Sequence, residues 1–123
     1  MRAVHSFAYH STRRAERGGT KIEITEELRR KHPDVSQPVV RVHPATGRKA
    51  LFVNSIYTTR FEGWTEAESR PLLKFLFDHA IRPEFTCRLR WRANDLAIWD
   101  NRCAMHYAVN DYDGARRLMH RTT

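Results

Sequence analysis

The stretch from Trp99 to Arg121, "WDNRCAMHYAVNDYDGARRLMHR", gathers histidine, carboxylate and arginine side chains at spacings that can do chemistry. In a strand, residues two apart share a face, so within "RRLMHRT" Arg117, Met119 and Arg121 point one way and Arg116, Leu118 and His120 the other. Arg117 and Arg121 would then stand roughly 13 Å apart, able to hold two anionic groups with a reaction centre between them. Arginine suits this task because its planar fork grips an oxyanion through two parallel donors. His106, on a neighbouring strand across a short turn, can reach such a centre, and neutral imidazole is a ligand for iron, zinc or copper. Spacing alone leaves two readings open: an anion-gripping face beside a metal, or a solvated basic strand with a packed histidine.

The elements that must position these residues are short strands. "PVVRVHP" and "KALFVN" are β-branched runs joined by "ATGR", whose Gly47 can take the positive φ of a tight hairpin turn. "TCRLRWRA" alternates strictly, with Cys87, Leu89 and Trp91 on one face and Arg88, Arg90 and Arg92 on the other, as a half-buried strand does. "DLAIWDN" reads as a covered strand, and "AMHYAV" and "RRLMHRT" as two more around the Asp-Gly turn of "NDYDG". Between these groups, "WTEAESRPLLKFLFDHAIRPEF" sets Leu72, Leu73, Leu76, Phe77 and Ala80 at helical spacing behind a Thr65/Glu68 capping box. Pro71 must lie in the first turns or bend that helix. The pattern predicts a mainly β fold with one outer helix, of the jelly-roll type or part of one.

Residues 1–36 read differently. "STRRAERGGTKIEITEELRRKHPD" is charged and poor in large apolar groups, which predicts a peripheral segment, helical or loose, with a short helix in "TEELRRKH" ending before Pro33. Residues 37–123 form the second part of the chain.

At 123 residues and 41% hydrophobic content the chain is one domain. Lys and Arg exceed Asp and Glu by 22 to 14, a formal charge of +8, so an anionic partner is expected. Nucleic acid is not that partner, because the arginines are spread over several strands with no recognition helix or stacking platform to gather them. Cys87 and Cys103 lack metal-type spacing and suit a reduced compartment. The opening residues lack the apolar run of a signal peptide, and no stretch reaches the roughly 18 apolar residues of a membrane span, so a cytoplasmic protein without membrane contact is expected.

From about Gln37 to Thr123 the sequence resembles the C-terminal half of the taurine dioxygenase (TauD/TfdA) family of Fe(II)- and 2-oxoglutarate-dependent oxygenases. The stretches that carry the resemblance are "PVVRVHPATGRKALFVN", "PEFTCRLRWRANDLAIWDNR", "MHYAVNDY" and "RRLMHR", in the family's order and nearly its spacing. The resemblance implies a partial double-stranded β-helix (jelly roll), truncated at its start. It also implies that His106 is the distal histidine of a 2-His-1-carboxylate iron site, the metal ligand of this chain. Arg117 would grip the distal carboxylate of the 2-oxoglutarate cosubstrate, Arg121 would face the substrate's anionic group, and Tyr57 would be a pocket aromatic. The implied reaction is hydroxylation of a small sulfonate, sulfate ester or carboxylate; beside a sulfonate it releases sulfite and an aldehyde.

The family's first histidine and carboxylate come as H-x-D upstream of everything matched here. "HPD" at His32 to Asp34 has the letters but sits in the charged segment, beside a predicted helix end. His5, His10 and His79 have no role in the resemblance, and His43 matches a turn-flanking structural position. One histidine cannot hold catalytic iron, so the isolated chain is either half of an oxygenase, completed by a homo-oligomer or a complementing chain, or a catalytically inactive remnant that binds anions or a partner.

Overall fold

The computed structural model describes residues 1–16, 20 and 22–122; the remaining residues of the charged segment and the last residue lie outside that description. In chain order the elements are β1 (Arg2–His5), α1 (Phe7–Glu16), α2 (Glu26–Lys31), β2 (Val35–Pro38), β3 (Val40–Val42), β4 (Lys49–Leu51), β5 (Thr58–Phe61) and α3 (Glu66–Ala80), followed by a 3-10 turn at Pro83–Phe85. The described residues thus form five short strands and three α-helices, and the strands make two antiparallel sheets. One has the order β2-β1-β5, with Ala3 facing Gln37 on one side and Phe61 on the other. The other is the β3-β4 hairpin, which pairs Val40 with Leu51 and Val42 with Lys49.

The hairpin forms as its sequence predicts. Gly47 adopts φ +68°, and the tip closes with the His43 N–H donating to the Arg48 carbonyl at 2.8 Å and the Gly47 N–H to the His43 carbonyl at 2.9 Å. "PVVRV" is not one strand, however. It breaks at Val39, whose side chain turns into the core while its N–H bonds the Met1 carbonyl and its C=O accepts from Phe52. Pro38 is tolerated because it ends an edge strand, where a missing donor breaks no ladder.

The core comprises Ala3, Val39, Val53, Phe61 and Leu73, with Leu51, Leu72, Leu76 and Phe77 packed against it. The leucine and phenylalanine stripe predicted for α3 therefore does face the sheet. The capping box is complete: Thr65 accepts from the Glu68 N–H at 3.2 Å, and Glu68 accepts from the Thr65 N–H at 2.8 Å. Ser69, fully buried, ties α3 to β5 by accepting the Phe61 N–H at 2.9 Å while donating to the Thr65 carbonyl at 2.8 Å. Pro71 sits inside the helix, in its second turn.

Two expectations need correction. The opening residues are not peripheral, since β1 is the middle strand of its sheet and Ala3 and Val4 are buried. A four-residue strand flanked on both sides is specified by its neighbours rather than by its own composition. The helices of the charged segment do form around it. α2 is capped by Thr25 and ends at His32, before Pro33, as the proline requires.

The second correction concerns residues 86–122. "TCRLRWRA", "DLAIWDN", "AMHYAV" and "RRLMHRT" all carry strand patterns, yet none forms a ladder, and most of their side chains are exposed. A strand exists only through the hydrogen bonds of a neighbour, and the described residues offer these four segments none. Turn chemistry, which is local, is realised. Asp113 and Gly114 take φ +42° and +79°, and the Ala115 N–H closes on the Tyr112 carbonyl at 2.7 Å.

Candidate functional site

The β3-β4 tip meets the turn that follows Trp99. His43 Nδ1 accepts the Ala45 N–H at 3.3 Å, which leaves the imidazole proton on Nε2, and that nitrogen lies 2.9 Å from Asp100 Oδ2. Asp100 accepts three further N–H groups, all from Arg102: the backbone N–H at 2.8 Å, Nε at 2.9 Å and Nη2 at 2.6 Å. Its own carbonyl closes the turn by accepting from the Cys103 and Ala104 N–H groups at 3.2 and 3.0 Å. The Arg102 guanidinium first, and the His43 hydrogen bond second, hold the Asp100 carboxyl well below the usual carboxylate range.

His43, Asp100 and Cys103 place one donor atom each within 4.8 Å of one another, which is metal-like spacing. The donors are already engaged, however. His43 Nε2 carries a proton, both Asp100 oxygens face a guanidinium, and a cation there would have to displace Arg102. The arrangement is a clamp between two loops.

The sequence-predicted residues lie elsewhere. The exposed His106 ring packs against Trp99 with ring centres 5.0 Å apart, and the Trp99 indole N–H donates to Asn101 Oδ1 at 3.0 Å. The Arg117 guanidinium lies 5.8 Å from the centre of the Tyr112 ring, and Arg121 is exposed. Tyr57 stacks on His10 at 4.4 Å and opens on a cleft of about 330 Å³ lined also by His5, Phe7, Lys31 and His32. Burial lowers the pKa of His5 and of His10, with Arg14 adding to the effect at His10. No hydrogen bond, ion pair or ring contact among the described residues joins any two of His106, Arg117, Arg121 and Tyr57. Within "HPD", His32 ends α2 and stacks on Phe7 at 4.4 Å.

A facial iron site takes two imidazoles and a carboxylate. His106, the expected ligand, lies outside the one metal-like cluster of the described residues, so these residues do not fit a complete iron site. Sequence reasoning missed the His43-Asp100-Arg102 group. Its parts lie in "HPATGR" and "WDNR", but nothing in one sequence signals a pairing across 57 residues.

The family model described as "Taurine catabolism dioxygenase TauD, TfdA family" matches residues 1–123. The chain is 41% identical over 123 residues to an alpha-ketoglutarate-dependent 2,4-dichlorophenoxyacetate dioxygenase of Burkholderia sp. (strain RASC), covering 100% of this chain and 39% of that protein. It is 44% identical over 90 residues to an alpha-ketoglutarate-dependent sulfate ester dioxygenase of Pseudomonas putida, covering 73% of this chain and 30% of that one. The crystal structure of AAD-2 in complex with Mn(II) and N-oxalylglycine superposes with a TM-score of 0.59 at 33% identity, over 74% of this chain and 34% of the other. The chain thus spans about a third of the length of the curated relatives it matches.

Proposed function

We propose the following function for this chain, which belongs to the taurine catabolism dioxygenase TauD, TfdA family of oxidoreductases: it is the C-terminal part of an Fe(II)- and 2-oxoglutarate-dependent dioxygenase that hydroxylates a small anionic substrate, a sulfonate or a related sulfate ester or carboxylate. The observation that carries this is the match along all 123 residues to relatives named for their dependence on alpha-ketoglutarate. Iron with 2-oxoglutarate would supply the oxidising chemistry, and the protein would supply placement. In this reading His106 is one iron ligand, Arg117 holds the far carboxylate of the cosubstrate, Arg121 faces the substrate's anionic group, and Tyr57 lines its apolar part. Residues 37–123 are then part of a jelly roll, with β1 of the opening segment built into the same sheet as β2 and β5, in a cytoplasmic enzyme. The other histidine and the carboxylate come from polypeptide beyond this sequence or from a complementing chain.

Support for a divided site comes from the side chains themselves. His106, Arg117 and Arg121 all sit in 86–122, whose strand patterns lack partners, and the missing strands would be what draws the three together. The test is an anaerobic titration with Fe(II) and 2-oxoglutarate, following the metal-to-ligand charge-transfer absorption. We expect no band from the 123-residue chain and a band once a polypeptide carrying a relative's H-x-D half is added. A stoichiometric band from the chain alone would overturn the divided site, and no band from the reconstituted pair would overturn the dioxygenase reading.

A second reading, an inactive remnant that binds anions, is favoured by the exposure of Arg117 and Arg121 without contact to His106. It predicts 2-oxoglutarate binding that is indifferent to metal.

A further inference from the structure

We propose that His43, Asp100 and Arg102 form a positioning clamp that sets the orientation of the His106 imidazole. The inference rests on reading His106 as an iron ligand, and it adds what holds that ligand in place. Among the described residues, the His43-Asp100 contact is the only hydrogen bond or ion pair that ties residues 87–122 to residues 1–85. It bridges 57 residues of sequence, from a hairpin that is itself hydrogen-bonded to the chain beside the core. The His43 side chain is 10% exposed and that of Asp100 35%, so the tie is shielded from water on its histidine side.

From Asp100 the constraint runs in two directions. Forward, the carbonyl of Asp100 holds the Cys103 and Ala104 N–H groups, which closes the turn two residues short of His106. Backward, Asp100 adjoins Trp99, whose indole is fixed by Asn101 and whose ring packs on the His106 imidazole at 5.0 Å. His106 is thus approached from both sides by groups that Asp100 anchors. Arg102 has a distinct task, which is to hold the carboxylate in place through three N–H groups so that one oxygen faces His43. None of the three clamp residues would touch substrate or iron; they act through the turn and through Trp99.

The test is nuclear magnetic resonance on the 123-residue chain with selectively 15N-labelled histidine and no metal. In the wild type we expect a proton Overhauser contact between the Trp99 indole and the His106 ring, and a His43 ring protonated at Nε2. His43→Ala should abolish the Trp99-His106 contact and shift the His106 ring nitrogens, while the amide signals of β1, β5 and α3 stay in place. His43→Gln, whose side-chain amide can still donate to Asp100, should restore the contact, and Asp100→Ala should lose it as His43→Ala does. A Trp99-His106 contact and His106 ring shifts left unchanged in both alanine variants would overturn the clamp, as would failure of the glutamine to rescue. Because no metal is present, the clamp can stand or fall whether or not His106 binds iron, which the charge-transfer titration decides separately.

Discussion

At the residue scale, the arginines carry the most direct prediction. If Arg117 holds the far carboxylate of 2-oxoglutarate, Arg117→Ala in the reconstituted enzyme removes a charge-assisted hydrogen-bonded pair and weakens cosubstrate affinity by roughly 1.5 to 3 kcal/mol. Calorimetric titration with 2-oxoglutarate reads this, and an unchanged affinity would take Arg117 out of the site. Asp100 carries a pH prediction. A carboxyl whose folded pKa is depressed contributes stability that is fully present above its unfolded pKa and is lost as pH falls through the folded value. The Asp100 carboxyl carbon should therefore titrate below the usual 3.8, with the turn intact as pH passes that point. A midpoint at or above 3.8 would mean that Arg102 and His43 do not hold it. The roles proposed for His106, Arg117, Arg121 and Tyr57 rest on the family blocks, because strand spacing fits a solvated face equally well. The clamp was not legible at all. A histidine after a hairpin strand and an aspartate after a tryptophan look ordinary until folding brings them to 2.9 Å.

At the element scale, signals written within a few residues survived and signals that need a distant partner did not. The capping box at Thr65 and Glu68, the Gly47 tip and the Asp113-Gly114 turn are each settled inside four or five residues, and each forms. The strand alternation of "TCRLRWRA" is as regular as any pattern in the chain, yet it states only which face a strand would present, not that a neighbour is there to pair. β1 shows the converse, a short segment of unremarkable composition made central by the strands on either side. The helix prediction follows from locality. Thr65→Ala removes the acceptor for the Glu68 N–H and half of the capping box, which should cost about 1 kcal/mol. Urea denaturation should show this as a lower midpoint at unchanged slope. An unchanged midpoint would mean that Ser69 and the core packing of Leu73 hold α3 without its cap.

At the scale of the whole molecule, the buried residues and the exposed apolar residues divide along the sequence. Every residue of the core cluster lies between Ala3 and Leu73, whereas Leu96, Ile98 and Tyr107 are 85%, 89% and 82% exposed. Apolar side chains of this size left in water make a surface open to association. The lengths agree, since the relatives reported above are about two and a half times as long as this chain and the family match runs through the exposed part as well as the core. The isolated chain should therefore bind a hydrophobic dye strongly and self-associate with rising concentration. Adding the H-x-D half of a relative should suppress both. Leu96→Lys with Ile98→Lys separates this from a general weakness of the fold, because neither residue belongs to the Phe61 core. The double variant should lower dye binding and light scattering while leaving the unfolding midpoint of the β2-β1-β5 sheet and α3 where it was, and it should also impair reconstitution. If scattering falls but reconstitution proceeds as before, residues 96 and 98 are an adventitious sticky patch, and the covered surface must be sought at the exposed Leu89 and Trp91 instead.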